Sequence, residues 1–184
     1  LQDTIKQEKL QNKECSMTNQ IDDFKDQDHL EGYLVVTRTN KDGSVEQEKI
    51  KNLVVSKARE IVRNLVFGET KTITGLALGD ANIPASQALS KANIPNPTLI
   101  DVNLVHKTYE AGIVEKKKVT YEDRHAIKYS FYIDYEEGNG SGEDNFFTEA
   151  GLTLADGTLF TRLTFKALVK DSTSALSLEY SLLF

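Results

Sequence analysis

EAGLTLADGTLFTRLTF, residues 149–165, sets two apolar alternations on either side of an Asp-Gly pair. Leu152 and Leu154 lead into Asp156-Gly157, and Leu159, Leu163 and Phe165 lead out. Alternation with a period of two sends successive side chains to opposite faces of a strand. Asp-Gly tolerates the left-handed backbone angles that a tight reversal needs. The stretch therefore reads as a core β-hairpin. Glu149 and the small pair Ala150-Gly151 stand outside the alternation, and the role expected for Glu149 is to hydrogen-bond the backbone of an adjacent loop.

The same pattern extends in both directions. After the hairpin, Leu159, Leu163, Phe165, Ala167 and Val169 fall on one predicted core face, with Arg162, Thr164, Lys166 and Lys170 opposite. ALSLEYSLLF places Leu176, Leu178, Tyr180, Leu182 and Phe184 together in a last strand, and AIKYSFYIDYEE does the same for Ile127, Tyr129, Phe131, Ile133 and Tyr135. Near the start, GYLVVTRT and SVEQEKIKN flank the turn NKDGS as a first hairpin. TLIDVNLVHKTYE and KKKVTYED read as another hairpin, turned around EAGIVE. Between these, Ala58, Ile61, Val62, Leu65 and Val66 recur at helical spacing, with Ser56 placed to cap the helix and Gly68 to end it. One such stripe is expected to pack onto a sheet, the alternative being a face for a partner. ITGLALGD reads as a short buried strand.

These elements predict a mainly β chain: seven or eight strands forming an antiparallel β-sandwich or flattened barrel, with one packed α-helix at about residues 56–67. Residues 32–184 form the single expected domain. Residues 1–31 carry eight acidic residues and four lysines among scattered apolar ones. They read as an extended N-terminal arm that a partner orders, with Leu10, Ile21 and Phe24 as its candidate contacts.

Composition excludes several classes. The formal net charge is −6, from 28 acidic and 22 basic residues, so the clustered positive surface required by nucleic acid is missing. The run Lys116-Lys117-Lys118, flanked by Glu115, Glu122 and Asp123, reads as a solvated strand end or turn. Cys15 is the only cysteine, which rules out an intramolecular disulfide or a Cys-based zinc site. No apolar run approaches the roughly 20 residues that span a bilayer, so no membrane partner is expected.

The search for chemistry returns little. His29, His106 and His125 have no metal-ligand spacing, and although Glu122 and Asp123 precede His125, no GxSxG accompanies them. The acidic loop DYEEGNGSGEDN offers Asp134, Glu136, Glu137, Asn139, Ser141, Glu143 and Asp144 as oxygen ligands for calcium, but without EF-hand spacing; a charged, solvated loop is the favoured reading. Tyr109, Tyr121 and Tyr132 are the tyrosines best placed to line a sugar-binding face. No catalytic, cofactor-binding or metal-binding residue is therefore assigned. The remaining candidate is ANIPASQALSKANIPNP, which holds all three prolines of the chain. Proline cannot serve an internal ladder, and loops of this length in compact domains usually bind something. Its candidate interaction residues are Ile83, Pro84, Leu89, Ile94, Pro95 and Pro97.

The order of these segments resembles that of small structural proteins of tailed bacteriophage particles: a DG-turn hairpin leading into KNLVVSKAREIVRNLVFG, then ITGLALGD with a proline-bearing loop, then FFTEAGLTLADGTLFTRLTF and a final apolar strand. The resemblance covers roughly residues 32–184. It implies a non-enzymatic virion subunit of the tail, baseplate, neck or fibre attachment, made in the host cytoplasm. Its partners would be other virion proteins and copies of itself in a symmetric homo-oligomer. A capsid decoration protein and a receptor- or glycan-binding module are the alternatives.

Overall fold

The computed structural model describes residues 30–121, 123–139 and 146–184, with the side chains of Leu53 and Lys57 outside the description. The predicted arm contacts Leu10, Ile21 and Phe24 lie outside the described residues, as do Ser141, Glu143 and Asp144. The chain from Glu31 to Leu183 forms one compact unit. Its strands are β1 (Glu31–Asn40), β2 (Val45–Val54), β3 (Ile73–Gly79), β4 (Lys107–Gly112), β5 (Glu115–Tyr121), β6 (Arg124–Ile133), β7 (Phe146–Leu154), β8 (Thr161–Val169) and β9 (Ser174–Leu183). Helix α1 covers Ser56–Val66 and a single turn, α2, covers Ala85–Ala88.

All strand pairs are antiparallel, in the order β4-β3-β7-β8-β2-β1-β9-β6-β5. The ladder is continuous but sharply divided. β2 and β8 pair only at Leu53↔Arg162 and Val54↔Thr161, so a five-stranded sheet (β2-β1-β9-β6-β5) and a four-stranded sheet (β4-β3-β7-β8) meet at one corner. The result is the expected β-sandwich, with nine strands among the described residues rather than seven or eight.

Register explains where the core sits. On the five-stranded sheet, Ile50, Leu34, Tyr180 and Tyr129 form one cross-strand row, and Glu48, Val36, Leu178 and Phe131 form the next. Residues in a row share a face, and the central members of both rows are buried. A third row, Glu46, Arg38, Leu176 and Ile133, is apolar at β9 and β6 but charged at β1 and β2. The core therefore ends at that corner. In the other sheet β7 is buried along its whole length, because the long loop covers the face turned away from the sandwich interior.

Local chemistry accounts for the turns. Gly43 and Gly157 take left-handed φ values of 85° and 81° in the two Asp-Gly reversals. Asp42 and Asp156 accept bonds from the backbone N–H groups of Ser44 and Thr158 in those turns. Helix α1 ends in a full Schellman motif: Gly68 N–H donates to the Leu65 carbonyl and Glu69 N–H to the Asn64 carbonyl, with Gly68 at φ 89°, as this motif requires.

Several expectations are corrected. Ser56 is the first helical residue rather than the cap; Val55 occupies the cap position, and the Ser56 N–H donates to the Leu99 carbonyl. The apolar stripe of α1 is buried only at Ala58 and Ile61, while Leu65, Val66 and Phe67 are exposed. β4 and β5 do not form a hairpin: β4 pairs with β3 and β5 with β6, so the short connection carries the chain from one sheet to the other. The alternation in TLIDVNLVH is not a strand, since β4 starts only at Lys107. Phe184 is exposed, and so is Val169, with Ala167 half-buried; β8 leaves the core before it ends.

Candidate interaction surface

The long loop, residues 80–106, is fixed to the outer face of the four-stranded sheet by charged groups buried beneath it. Glu149 on β7 and Arg162 on β8 are both almost completely buried. Arg162 Nε and Nη2 donate to Glu149 Oε2 at 3.2 and 2.7 Å, and Arg162 Nη1 reaches Asp101 Oδ2 in the loop at 2.5 Å. Glu149 also accepts the backbone N–H groups of Val105 and His106, at 3.1 and 2.9 Å. The adjacent-loop role expected of Glu149 is thus present, with Arg162 as the added partner. Burial pushes the Asp101 carboxyl up, but bonds from Thr98 and Arg162 outweigh it and hold the group below its ordinary range.

The small residues of the sheet make this approach possible. A Cβ on Gly79 would lie 2.2 Å from the His106 carbonyl oxygen, and one on Gly151 would lie 2.3 Å from that of Thr161. Contacts this short are repulsive, so both positions must be glycine for the backbones to cross. Glu-Ala-Gly is therefore an anchor, a core methyl and a crossing point in sequence. At the loop's start Asp80 accepts the Asn82 N–H and pairs with His106 Nδ1 at 2.8 Å. It steadies Ala81 and Asn82, both in the left-handed region at φ 55° and 54°. Lys91 tacks the middle of the loop down through Thr164 Oγ1 and Asn96 Oδ1.

The predicted contact residues divide between anchor and surface. Ile94 is buried and belongs to the loop's own packing, a correction, and Ala88 is buried with it. Ile83 and Pro97 are half-buried, whereas Pro84, Pro95 and Leu89 are exposed, Leu89 at 74%. Sequence reasoning missed the stronger set: Leu99, Ile100, Val102 and Val105 all stand exposed, Ile100 at 83%. Their alternation had assigned them to a strand. The Asp101 side chain, taken by Thr98 and Arg162, turns this segment into a pinned loop with its apolar groups in solvent. Val66 and Phe67 at the end of α1 are exposed at 83% and 82%.

The other candidates resolve simply. His106 is paired with Asp80 at the surface, and His125 is exposed on β6 opposite Thr120. At the start of the acidic loop the Lys170 ammonium donates to the carbonyls of Tyr135 and Asp171 and to Asn139 Oδ1; the candidate ligands Ser141, Glu143 and Asp144 lie outside the described residues. Among the described residues no group of three or more His, Cys, Asp or Glu is placed to hold a metal. Tyr121 lies near Tyr33 with Lys49 over both rings, Tyr109 packs against Phe147, and Tyr132 is exposed; Tyr121 and Tyr132 share a face of the five-stranded sheet at opposite ends of β6, and Tyr109 belongs to the other sheet. Lys116–Lys118 lie on β5, whose outer edge pairs with no strand among the described residues, and lysines there discourage unwanted strand addition. No helix among the described residues is long and apolar enough to cross a membrane. Comparison with protein-family models, curated proteins and solved structures finds no match to this chain.

Proposed function

We propose that this chain is a non-enzymatic structural subunit of a tailed bacteriophage particle, in its tail, baseplate, neck or fibre attachment. It would assemble with other virion proteins and with copies of itself in a symmetric array. The observation that carries the assembly role is the pinned loop: Leu99, Ile100, Val102 and Val105 are held in solvent by a buried ion-pair network. Burying an apolar side chain of this size releases about 1.5–3 kcal/mol, and apolar groups concentrated on a fixed surface mark interaction sites. A fixed loop also orders little on binding, which keeps the entropic cost of docking low. The phage assignment rests on the order of motifs from the first DG hairpin to EAGLTLADGTLF.

The test is mass spectrometry of gradient-purified particles from cells producing the phage that encodes this chain. The expected result is the chain as a regular component, present at a fixed ratio to the other virion proteins. Its absence from particles, with the chain abundant in the lysate, overturns the proposal.

A further inference from the structure

Beyond the loop, helix α1 carries a ridge on its solvent side. Ala58 and Ile61 mark the buried side of the helix. Residues four apart stack along one side of a helix, so Arg59, Arg63 and Phe67 fall in a single line on the opposite side, with Val66 next to it. Arg59 and Arg63 are exposed, and Val66 and Phe67 are among the most exposed apolar groups described. The apolar end is held in place by the helix itself. The Phe67 N–H donates to the Asn64 carbonyl, and the Gly68 and Glu69 N–H groups close the last turn behind it.

Folding accounts for little of this ridge. Like charges four apart on a helix repel, and among the described residues neither the Arg59 nor the Arg63 guanidinium has an ion pair or a side-chain hydrogen bond. Arg63 lies in the last turn, where a cation suits the helix dipole, but Arg59 stands one turn earlier. Glu60, which flanks the line, is engaged in an interaction of its own, and Lys71 past the helix end is bonded to Asp156. Two guanidinium forks and two apolar groups therefore stand ready on one fixed line.

From this arrangement we infer that the outer ridge of α1 binds an acidic amphipathic helix of another protein. Charge complementarity selects the occupant: two carboxylates one helical turn apart meet Arg59 and Arg63 through forked bonds, and apolar side chains a turn further on cover Val66 and Phe67. A helix suits the site because it repeats its side chains at the same one-turn interval as the ridge. Antiparallel docking, with the partner's apolar residues at its N-terminal end, sets the two helix dipoles favourably. A bilayer fits less well, since the chain carries a net charge of −6 and anionic lipid is held by clusters of roughly four to eight basic residues. This inference does not depend on the phage assignment.

The probe is the peptide acetyl-Leu-Leu-Ala-Gln-Glu-Ala-Ala-Gln-Glu-Ala-Ala-Gln-Ala-Ala-Gln-amide, titrated to roughly 1 mM into the full isotope-labelled chain while backbone amide resonances are followed. Saturable shifts are expected between Arg59 and Glu69. Replacing both Glu of the peptide by Gln is expected to weaken binding about tenfold, as loss of charge-assisted bonds does. The double variant Arg59→Gln, Arg63→Gln should bind the two peptides equally while its amide spectrum stays otherwise native, and Phe67→Ser should weaken both. The inference is overturned by no saturable shift, by shifts centred elsewhere, by an unchanged Glu-to-Gln ratio in the arginine variant, or by undiminished binding to Phe67→Ser. Concentration-dependent shifts of the same residues without peptide would show a second copy on the ridge, and the same shifts on adding phosphatidylglycerol vesicles would show a lipid surface; either would overturn the acidic helix.

Discussion

Glu149 joins the sheet to the loop, and one substitution there breaks several contacts at once. Its removal leaves Arg162 buried with half its partners and strips the Val105 and His106 N–H groups of their acceptor. Breaking one side of a buried ion pair costs about 3–5 kcal/mol; because Arg162 keeps Asp101, Glu149→Ala should fall near the lower end, read by urea denaturation. A loss below about 1 kcal/mol, the scale of a surface pair, would contradict the anchoring role. Asp156 carries a pH signature. Hydrogen bonds from the Thr158 hydroxyl and backbone hold its carboxyl down to about 2, from an ordinary 3.8. A folded pKa below the unfolded one contributes stability above the unfolded value and loses it as pH falls through the folded one. The wild-type chain should thus lose more stability between pH 4 and pH 2 than Asp156→Asn, as followed by acid titration of the melting temperature. Identical profiles would show that the turn bonds contribute nothing.

Among the elements, β8 shows how two faces and two ends of one strand differ. Phe165 is buried and Lys166 is exposed, so Phe165→Ala should cost about 3–5 kcal/mol and Lys166→Ala should leave stability within about 0.5 kcal/mol. Equal small effects would mean that the strand faces are inverted. The alternation of β8 was legible in the sequence, but its departure from the core at Ala167 was not, because pattern gives a residue's face and not the point where a neighbouring strand diverges. The β1–β2 and β7–β8 reversals were legible for a related reason: alternation and Asp-Gly chemistry are both local. The pairing of β4 with β3 was not, since it depends on a chain change between sheets that Gly112 to Val114 do not announce. The TLIDVNLVH segment failed as a strand because one distant guanidinium, Arg162, claims Asp101. Helix α1 is legible in its stripe and its Gly68 ending, yet periodicity alone does not say that burial stops after Ile61 and leaves Leu65 onward exposed.

At the scale of the whole molecule, two antiparallel sheets share a corner, and two surface features arise from how that arrangement is completed. A charged network between the loop and the outer face of the four-stranded sheet fixes a loop that displays apolar groups, and incomplete pairing at the corner leaves a cleft between β2 and β8. The sandwich was readable from periodicity; the displayed surface was readable only in part, because Pro84, Leu89 and Pro95 announced a loop while Ile100 and Val102 resembled a strand. If the loop is the assembly surface, polar substitution there must spare folding and impair docking. The most direct measurement is competitive incorporation: wild-type chain and an Ile100→Asp, Val102→Asp variant are co-expressed during particle production, and their ratio in purified particles is compared with that in the lysate. With the variant's melting temperature unchanged, the account predicts its depletion by about tenfold or more, since each tenfold corresponds to about 1.4 kcal/mol and each lost side chain to at least that much. Equal incorporation of the folded variant would contradict it.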